Sequence, residues 1–245
     1  MHYTNATITV MRPIYLLLVS IVCFSCGNER ILQLPEIQNA DVTEIRDVSH
    51  AYLFYDETKE DSIELNRKNL IITTNWLINV DKRLTLGQVI PKIKFLQEKK
   101  RNAELHKNED AKNYFTCNDT SIKNLGFLEF TDIYYEKVEL DNDSIDLAML
   151  ETSGESFKLS FEHVYIALSV IIDKNGLIRY EDEYVTILQY INKIPPREFP
   201  IVVLGSSLNL FFDKNMSFQN YINFKSSIKN LKIEDIIIDN REFIY

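Results

Sequence analysis

A short apolar segment near the N-terminus places the strongest constraint on what this chain can fold into. Residues 14–24 are mostly apolar, Arg12 precedes them, and Ser25 and Cys26 follow them. A positive charge, a short apolar stretch and small residues at a cleavage point are the parts of an export signal. A helix needs about 20 apolar residues to cross a bilayer, and the polar run that begins at Gly27 ends this stretch earlier. The segment therefore predicts that the chain is exported and that the residues after the segment form the folded part.

The sequence FSCGNE at the end of this segment resembles the signal of bacterial lipoproteins, in particular those of the Bacteroidetes. The resemblance implies that residues 1–25 are removed and that Cys26 becomes the new N-terminus, carrying a diacylglycerol and further acyl chains such as palmitate. Cys23 departs from the pattern, because Leu or Val usually stands at that position. Cleavage before Cys23 would put Val22 beside the cut, where a small residue is needed, so Cys26 is the predicted lipidation residue. An uncleaved anchor or a buried core strand is the alternative.

The composition limits the partners of the exported part. The chain carries a net charge of −9, whereas nucleic-acid binding depends on clustered Lys and Arg that displace counterions. Anionic lipid headgroups repel the same charge, so attachment to a membrane depends on the lipid at Cys26. The chain has only 6 Gly and 6 Pro, which favours a globular fold over disorder. We expect a globular protein without a nucleic-acid partner.

Cysteine counting leaves Cys117 as the one thiol of the mature chain, since Cys23 leaves with the signal and Cys26 carries lipid. No intramolecular disulfide is then possible. Cys117 could act as a nucleophile with a histidine as its base, and the candidates are His50, His106 and His163. Its surroundings, YFTCNDTS, match no nucleophile turn, so we interpret it as a buried thiol and keep an enzyme that uses Cys117 as the alternative.

The sequence contains no established catalytic or metal-binding motif. HExxH, GxSxG and a phosphate-binding glycine loop are absent from it, and no CxxC follows the predicted signal. Residues 139–146 (ELDNDSID) are acidic, but a calcium loop starting at Asp141 would have Asp146 in place of the required Gly and Thr152 in place of the required Glu. We therefore assign no catalytic, cofactor-binding or metal-binding residues, and whether the protein is an enzyme stays open, with a non-enzymatic role favoured.

Composition and periodicity divide the chain into five segments. These are a lipoprotein signal (residues 1–25), a lipidated tether (26–50), a first α+β unit (51–140), an acidic linker (141–156) and a second α+β unit (157–245). Residues 1–10 either extend the signal or lie upstream of a start at Met11, which we favour.

The first unit is expected to combine strands with one long helix. We predict a strand at 51–55, an exposed loop or helix at 56–66, a helix that begins after Thr85 and continues towards residue 112, and a strand at 127–135. The basic run at 99–101 (KKR) is interpreted as a solvated face of that helix.

Residues 70–93 and 171–194 resemble each other. Each segment has an apolar strand, a turn, a second strand and an amphipathic helix. When the two are aligned, Thr85 meets Thr186 and Gln88 meets Gln189, and each Thr is suited to cap the helix that follows it. Two alternatives stay open: a duplicated β-β-α unit, or two ordinary hairpin–helix segments of similar composition.

The second unit has the predicted order β-β-α-β-α-β. The elements are strands at 157–172, 177–179, 200–204 and 236–238 and helices at 186–194 and 216–231, with a hairpin turn at 173–176 (DKNG). Strand–helix–strand crossovers require parallel strands, whereas the hairpin requires an antiparallel pair. The fold class is therefore predicted as α+β, with mixed sheets and helices on one face.

Residues 164–239 resemble the periplasmic domain of the ExbD/TolR biopolymer-transport family. The resemblance lies in the strand, the DKNG turn, the Thr-capped helix, the VVL strand and the helix that begins at SFQNY. That family has a membrane helix with an Asp that serves a proton-driven motor, and an Asp-bearing turn where this chain has residues 205–207 (GSS). Energy transduction is therefore not implied. The resemblance implies a small envelope sheet domain that pairs through an edge strand or binds a peptide or envelope polymer.

These observations lead to a functional hypothesis. We expect a protein anchored by lipid on Cys26 in the cell envelope, in the outer membrane facing the periplasm, with a non-catalytic binding or structural role such as one in an envelope transport assembly. Its expected partners are the membrane and either another envelope protein or a second copy of the chain. An envelope enzyme of another fold that uses Cys117 is the alternative, and a purely structural role of two stacked repeats is a third hypothesis.

Overall fold

The protein is described here by a computed structural model that covers residues 31–103, 108–140, 157–158, 163–180, 183–193, 202–229 and 236–245. The predictions for the signal, for Cys26, for His106 and for the acidic linker at 141–156 lie outside the described residues. Contacts group Leu32–Tyr245 into one compact unit.

The described residues form strands β1–β13 and helices α1–α3. The strands are β1 (Glu36–Ile37), β2 (Val48–Tyr55), β3 (Ile63–Asn66), β4 (Asn75–Val80), β5 (Asn113–Asp119), β6 (Asn124–Glu129), β7 (Tyr134–Lys137), β8 (Phe157–Lys158), β9 (His163–Ile172), β10 (Ile178–Tyr180), β11 (Glu183–Val185), β12 (Val202–Phe212) and β13 (Ile236–Ile244). The helices are α1 (Leu86–Arg101), α2 (Ile187–Lys193) and α3 (Phe218–Lys229).

These strands form two mixed sheets. The first has 6 strands in the order β1-β5-β4-β2-β3, with β6 paired to β5. The second has 7 strands in the order β11-β10-β9-β12-β13-β7, with β8 paired to β9. Both sheets combine parallel and antiparallel pairs. The α+β class and the mixed sheets predicted from the sequence are confirmed.

The two sheets share a central topology. In the first, β2, β4 and β5 are parallel, β3 returns antiparallel to β2, and α1 connects β4 to β5. In the second, β9, β12 and β13 are parallel, β10 returns antiparallel to β9, and α3 connects β12 to β13. The chain therefore contains two related halves, with β3-β2-β4-β5 corresponding to β10-β9-β12-β13.

The loops that precede α1 and α3 pair with each other symmetrically. The Leu86 N–H donates to the Met216 carbonyl at 2.9 Å, and the Phe218 N–H donates to the Leu84 carbonyl at 2.7 Å. One residue further along, the Gly87 N–H donates to the Lys214 carbonyl at 2.8 Å and the Gln219 N–H to the Lys82 carbonyl at 3.3 Å. These reciprocal hydrogen bonds align residues 81–87 (DKRLTLG) of the first half with residues 213–219 (DKNMSFQ) of the second. A local two-fold axis would relate the two segments in this way.

This match corrects the alignment of residues 70–93 with 171–194. That alignment sets α1 against α2, whereas the helix that occupies the place of α1 in the second half is α3. The reason is a shared helix cap: the Thr85 N–H donates to Gln88 Oε1 at 2.8 Å, and the Thr186 N–H donates to Gln189 Oε1 at 2.9 Å. Two similar caps produced the sequence similarity without the same position in the fold.

One core joins the two halves. The same hydrophobic cluster contains Trp76 and Phe115 of the first sheet and Ile172 and Phe212 of the second. The Phe115 ring meets Phe218 of α3 edge-on, with the ring centres 5.1 Å apart. The predicted first and second units, 51–140 and 157–245, therefore supply side chains to a common interior.

Several element boundaries differ from the predictions. Helix α1 ends at Arg101 instead of continuing towards residue 112. Residues 127–135 are divided between β6 and β7, because a turn closed by the Ile133 N–H on the Phe130 carbonyl interrupts them and β7 pairs with β13 of the second sheet. Strand β3 lies within 56–66, which was predicted as a loop or helix.

Strands β12 and β13 are longer than predicted. β12 continues through the GSS sequence to Phe212, with a register shift between Val203 and Gly205. A β-bulge accommodates an extra residue without ending the strand. The GSS sequence, which favours a turn, therefore remains part of β12. The 173–176 turn is confirmed: Gly176 has φ of +82° and its N–H donates to the Asp173 carbonyl at 3.0 Å.

Residues 31–50, within the predicted tether, pack on the first sheet. β1 pairs in parallel with β5, and Val42 pairs with Phe127. Val42, Ile45 and Val48 cover a second small cluster formed by Leu77, Tyr114 and Phe127, on the opposite face from α1.

Candidate binding site

An apolar groove with a positively charged rim lies along α1. It has a volume of 520 Å³. The residues that line it come from α1, from the ends of β7 and β13 and from the loop before α3, and they are Leu86, Gly87, Ile90, Pro91, Lys94, Phe95, Glu98, Lys137, Lys214 and Ile244. We call this site the α1 groove.

The sequence of α1 produces the apolar part of the groove. Leu86, Ile90 and Ile93 recur at helical spacing and are buried against the sheet. Phe95 falls outside that stripe and is 44% exposed. The Arg67 guanidinium lies 4.9 Å from the centre of its ring, which holds the ring in place by a cation–π contact.

Pro91 interrupts the backbone hydrogen bonds of α1 beside the groove. It lies inside α1, four residues after Gly87, and both line the groove. Proline has no N–H, so the Gly87 carbonyl does not receive the helical hydrogen bond that any other residue at 91 would donate. Pro91 therefore leaves one hydrogen bond of the α1 backbone unmade beside the groove.

The groove carries more positive than negative charge. Lys94, Lys137 and Lys214 line it together with Glu98, whereas the chain as a whole has a net charge of −9. An apolar surface beside three ammonium groups favours a ligand that is both apolar and anionic.

Gly87 allows the close approach of the two halves at one end of the groove. A Cβ built on Gly87 would lie 3.2 Å from the Lys214 carbonyl oxygen, which is tighter than ordinary van der Waals contact. The absence of a side chain permits the Gly87–Lys214 hydrogen bond and places Lys214 at the rim.

A second, polar cavity of 490 Å³ occupies the corresponding place beside α3. Its lining includes Lys82, Gln219, Asn223 and Ser227. By the symmetric pairing of the two loops, these residues correspond to Lys214, Gly87, Pro91 and Phe95 of the α1 groove. Strand β1 also lines the cavity, through Glu36 and Ile37.

A buried polar network lies between α3, β13 and β7. The Tyr221 hydroxyl donates to Glu242 Oε2 at 2.7 Å, and its oxygen accepts from the Tyr135 hydroxyl at 3.1 Å. Lys225 forms an ion pair with the other oxygen of Glu242, whose side chain is fully buried. Burial raises the pKa of both tyrosines well above the usual value. Because each charged group has a partner, the network fixes β7 to the second sheet and offers no open position to a ligand.

Cys117 is buried on β5. Its side chain has no exposed surface, and burial raises the pKa of the thiol to about 12. Such a thiol is uncharged near neutral pH and is a weak nucleophile. The structure therefore favours the interpretation as a buried thiol over the alternative of a nucleophile.

The two described histidines that were candidate bases for Cys117 lie in different sheets. His50 lies on β2, where its ring stacks on Tyr52 with the centres 6.1 Å apart. His163 is the first residue of β9, in the second sheet. The part of the chain that the structure describes contains no group of three or more His, Cys, Asp or Glu placed to hold a metal ion.

The interpretation of residues 99–101 as a solvated face is wrong for two of the three. The Lys100 ammonium is buried, donates to Asn113 Oδ1 at 3.0 Å and to two carbonyls, and lies 4.9 Å from the Trp76 ring. Arg101 donates to the carbonyls of Thr131 and Ile133 and lies over Tyr134. These side chains hold the turn between β6 and β7 and the edge of β5 against the end of α1.

Sequence reasoning did not identify the α1 groove. Pro91 inside a predicted helix and Phe95 outside the apolar stripe were available signals, because each departs from what an ordinary amphipathic helix requires. Lys137 and Lys214 reach the groove only through the fold.

Comparison with known proteins adds no relative: no protein family, no curated protein and no solved structure matches this chain. Among the helices of the described ranges, none has the length and apolarity needed to span a bilayer.

Proposed function

We propose that this protein is a lipid-anchored protein of the cell envelope that binds a partner protein through the α1 groove and has no catalytic role. The observation that carries the proposal is the groove itself: an open apolar surface with Phe95 exposed and three lysines at its rim. Exposed apolar patches with a polar rim are typical of protein interaction sites.

The anchoring part of the proposal rests on the sequence. FSCGNE supplies the features of a lipoprotein signal, with Cys26 as the residue that receives the lipid. Two or three acyl chains are needed for firm attachment, because one chain gives only marginal binding. We place the protein in the outer membrane, facing the periplasm, and the resemblance of residues 164–239 to ExbD/TolR stays a prediction.

The chemistry of the groove favours binding over catalysis. Among the described residues, its lining includes no histidine, cysteine, serine or threonine, the side chains that most often form a nucleophile with an adjacent base. Cys117, the nucleophile of the alternative hypothesis, is buried and carries a thiol with a raised pKa.

The first experiment tests the anchor. Mass spectrometry of the mature N-terminus from a native membrane fraction is compared with a Cys26→Ala variant. We expect acylated Cys26 as the first residue, and a variant that is soluble or unprocessed. An unlipidated chain that begins at Met1 or Met11 would contradict the proposed location.

The second experiment tests the binding role. A photo-crosslinking amino acid replaces Phe95 in the full chain in living cells, and the control carries it at Ile122, which is 47% exposed and does not line the groove. We expect one defined protein to crosslink at position 95 and not at 122. Equal or absent crosslinking at both positions would contradict binding through the groove.

A further inference from the structure

We infer that the partner bound at the α1 groove is a protein whose surface carries Asp and Glu residues around an apolar side chain. The inference states the partner chemistry for the proposed binding role and rests on it. The observation behind it is the distribution of ion pairs: the cations around the groove have none, whereas many cations elsewhere in the described chain have a carboxylate partner.

Six cations surround the exposed ring of Phe95. We call them the basic face, and they are Arg67, Lys92, Lys94, Lys99, Lys137 and Lys214. Lys92 and Lys99 lie three residues before and four residues after Phe95, so they flank it on the exposed side of α1. Glu98 is the one carboxylate among the described residues that line the groove. The basic face therefore has a clear excess of positive charge.

The cations of the basic face have no ionic partner. Within the described residues, none of the six forms an ion pair. Cations elsewhere that do have a carboxylate partner are Arg46, Lys82, Arg83, Lys112, Lys225, Lys229 and Arg241. The chain has 36 acidic residues against 27 basic ones, so carboxylates are in excess. The fold thus gathers unpaired cations on one face although anions are plentiful.

Unpaired like charges on one face favour an anionic partner. They repel one another over about 8 Å at physiological ionic strength. Carboxylates of a bound partner replace this repulsion by attraction, and complementary charge also speeds association and excludes wrong partners. Phe95 and Pro91 are exposed within the same surface, which adds the need for an apolar side chain at its centre.

The shape of the surface favours a protein over an anionic membrane surface. The groove is a cavity of 520 Å³ whose lining includes Ile90, Pro91 and Phe95. A projecting side chain can enter such a cavity and contact these residues, whereas headgroups at a flat bilayer surface meet only the exposed charges. A protein surface with an apolar side chain among carboxylates satisfies both the cavity and the basic face.

The first test uses the full chain in living cells with the photo-crosslinking residue at position 95. The charge is reversed in the same chain by Lys137→Glu together with Lys214→Glu. The matched control is Lys123→Glu, in an exposed turn outside the basic face, where the lysine also has no ion pair. Circular dichroism of the purified variants establishes that each is folded.

We expect the protein that crosslinks at position 95 to be joined about tenfold less in the double variant and equally in Lys123→Glu. Two ion pairs at the edge of an interface, turned into repulsive contacts, account for a change of this size. Crosslinking in the unaltered chain should also decrease as salt is added to isolated membranes, because salt screens exposed charges.

A second test reads the chemistry of the partner directly. A water-soluble carbodiimide couples a lysine amine to a carboxylate in contact with it and takes up the water that is lost, and mass spectrometry identifies the two residues joined. In membranes from unaltered cells we expect Lys94, Lys99, Lys137 or Lys214 to be joined to Asp or Glu of the protein that crosslinks at position 95.

Three outcomes would overturn the inference. One is a partner that crosslinks equally in the folded double variant and gives no carbodiimide product with these lysines; the binding role then stands and only the acidic chemistry is wrong. Another is a crosslinked product of two copies of the chain, which makes a second copy the occupant. The third is an unlipidated Cys26→Ala chain that sediments with vesicles of phosphatidylglycerol unless Lys137 and Lys214 are reversed, which makes lipid headgroups the occupant. If nothing crosslinks at position 95, the proposed function fails together with the inference.

Discussion

Buried charged residues in this protein differ in how their charge is balanced. Glu242 has Lys225 as an ionic partner and Tyr221 as a donor, whereas the Lys100 ammonium is surrounded by neutral acceptors and the Trp76 ring. Burying a charge with an ionic partner and burying a charge without one affect the free energy of unfolding differently.

Removing the partner of Glu242 should be costly. In Lys225→Met the Glu242 carboxylate stays buried without its cation, and we expect the free energy of unfolding to fall by about 3 kcal/mol. Urea-induced unfolding measures the change. The double variant Lys225→Met with Glu242→Gln is the control, because it removes both charges and should recover part of the loss. A single variant as stable as the unaltered protein would contradict the role of the pair.

Lys100 should make stability depend on pH. Burial lowers its pKa from 10.5 to about 8. Between these values the unfolded chain keeps the proton that the folded chain has lost, so the free energy of unfolding rises with pH. Relative to Lys100→Met, the unaltered protein should gain on the order of 1 kcal/mol between pH 7 and pH 10, a value reduced for solvent screening.

Urea titrations at pH 7 and pH 10 measure the effect of Lys100. The control is Lys59→Met, at an exposed position, which should not alter the pH dependence. Parallel pH curves for the unaltered protein and Lys100→Met would show that this ammonium is solvated in the folded chain.

Residue types and short spacings predicted some local features and not others. The caps at Thr85 and Thr186 follow from Thr-x-x-Gln, and the 173–176 turn follows from DKNG, because these bonds join near neighbours. The burial of Lys100 could not be predicted in this way, since its acceptors come from Thr74, Lys112 and Asn113.

At the scale of the elements, α1 combines a buried stripe with an interruption. Its apolar spacing predicted a helix packed on a sheet, and the structure bears this out. The end of the helix was less predictable, because the basic residues of its last turn continue a sequence that favours helix until Asn102 caps it. Strands β12 and β13 were predicted too short, because polar residues occur within both. Their length is determined by hydrogen bonds to the neighbouring strands of the sheet.

Pro91 should lower the stability of α1, because it leaves the Gly87 carbonyl without its helical donor. In Pro91→Ala the N–H of residue 91 can donate to the Gly87 carbonyl, so we expect the free energy of unfolding to rise by about 1 kcal/mol. Urea-induced unfolding of Pro91→Ala and of the unaltered protein measures the change. A variant no more stable than the unaltered protein would show that the missing hydrogen bond at residue 91 costs α1 nothing.

At the scale of the whole molecule, the two halves share a topology that the alignment of residues 70–93 with residues 171–194 did not detect. The equivalence of Lys82 with Lys214 is set by hydrogen bonds between two loops far apart in sequence. The cavity beside α3 is lined by β1, whereas the α1 groove is lined by the end of β7. The groove combines α1 of the first half with Lys214 and Ile244 of the second, so it forms only in the folded chain.

The common core predicts that the halves unfold together. Trp76 is the sole tryptophan of the chain and is buried in the first sheet, so its fluorescence reports on that sheet, whereas far-ultraviolet circular dichroism reports on both. Phe212 is buried in the second sheet, against Tyr221 and Phe224. We expect Phe212→Leu to lower the free energy of unfolding by about 2 kcal/mol and to shift the midpoints of both signals equally in urea. Ile237→Thr, at a position 72% exposed on β13, is the control and should shift neither. A Trp76 midpoint that stays fixed while the circular dichroism divides into two transitions would mean that each half folds on its own, and that the contact between Phe115 and Phe218 does not couple them.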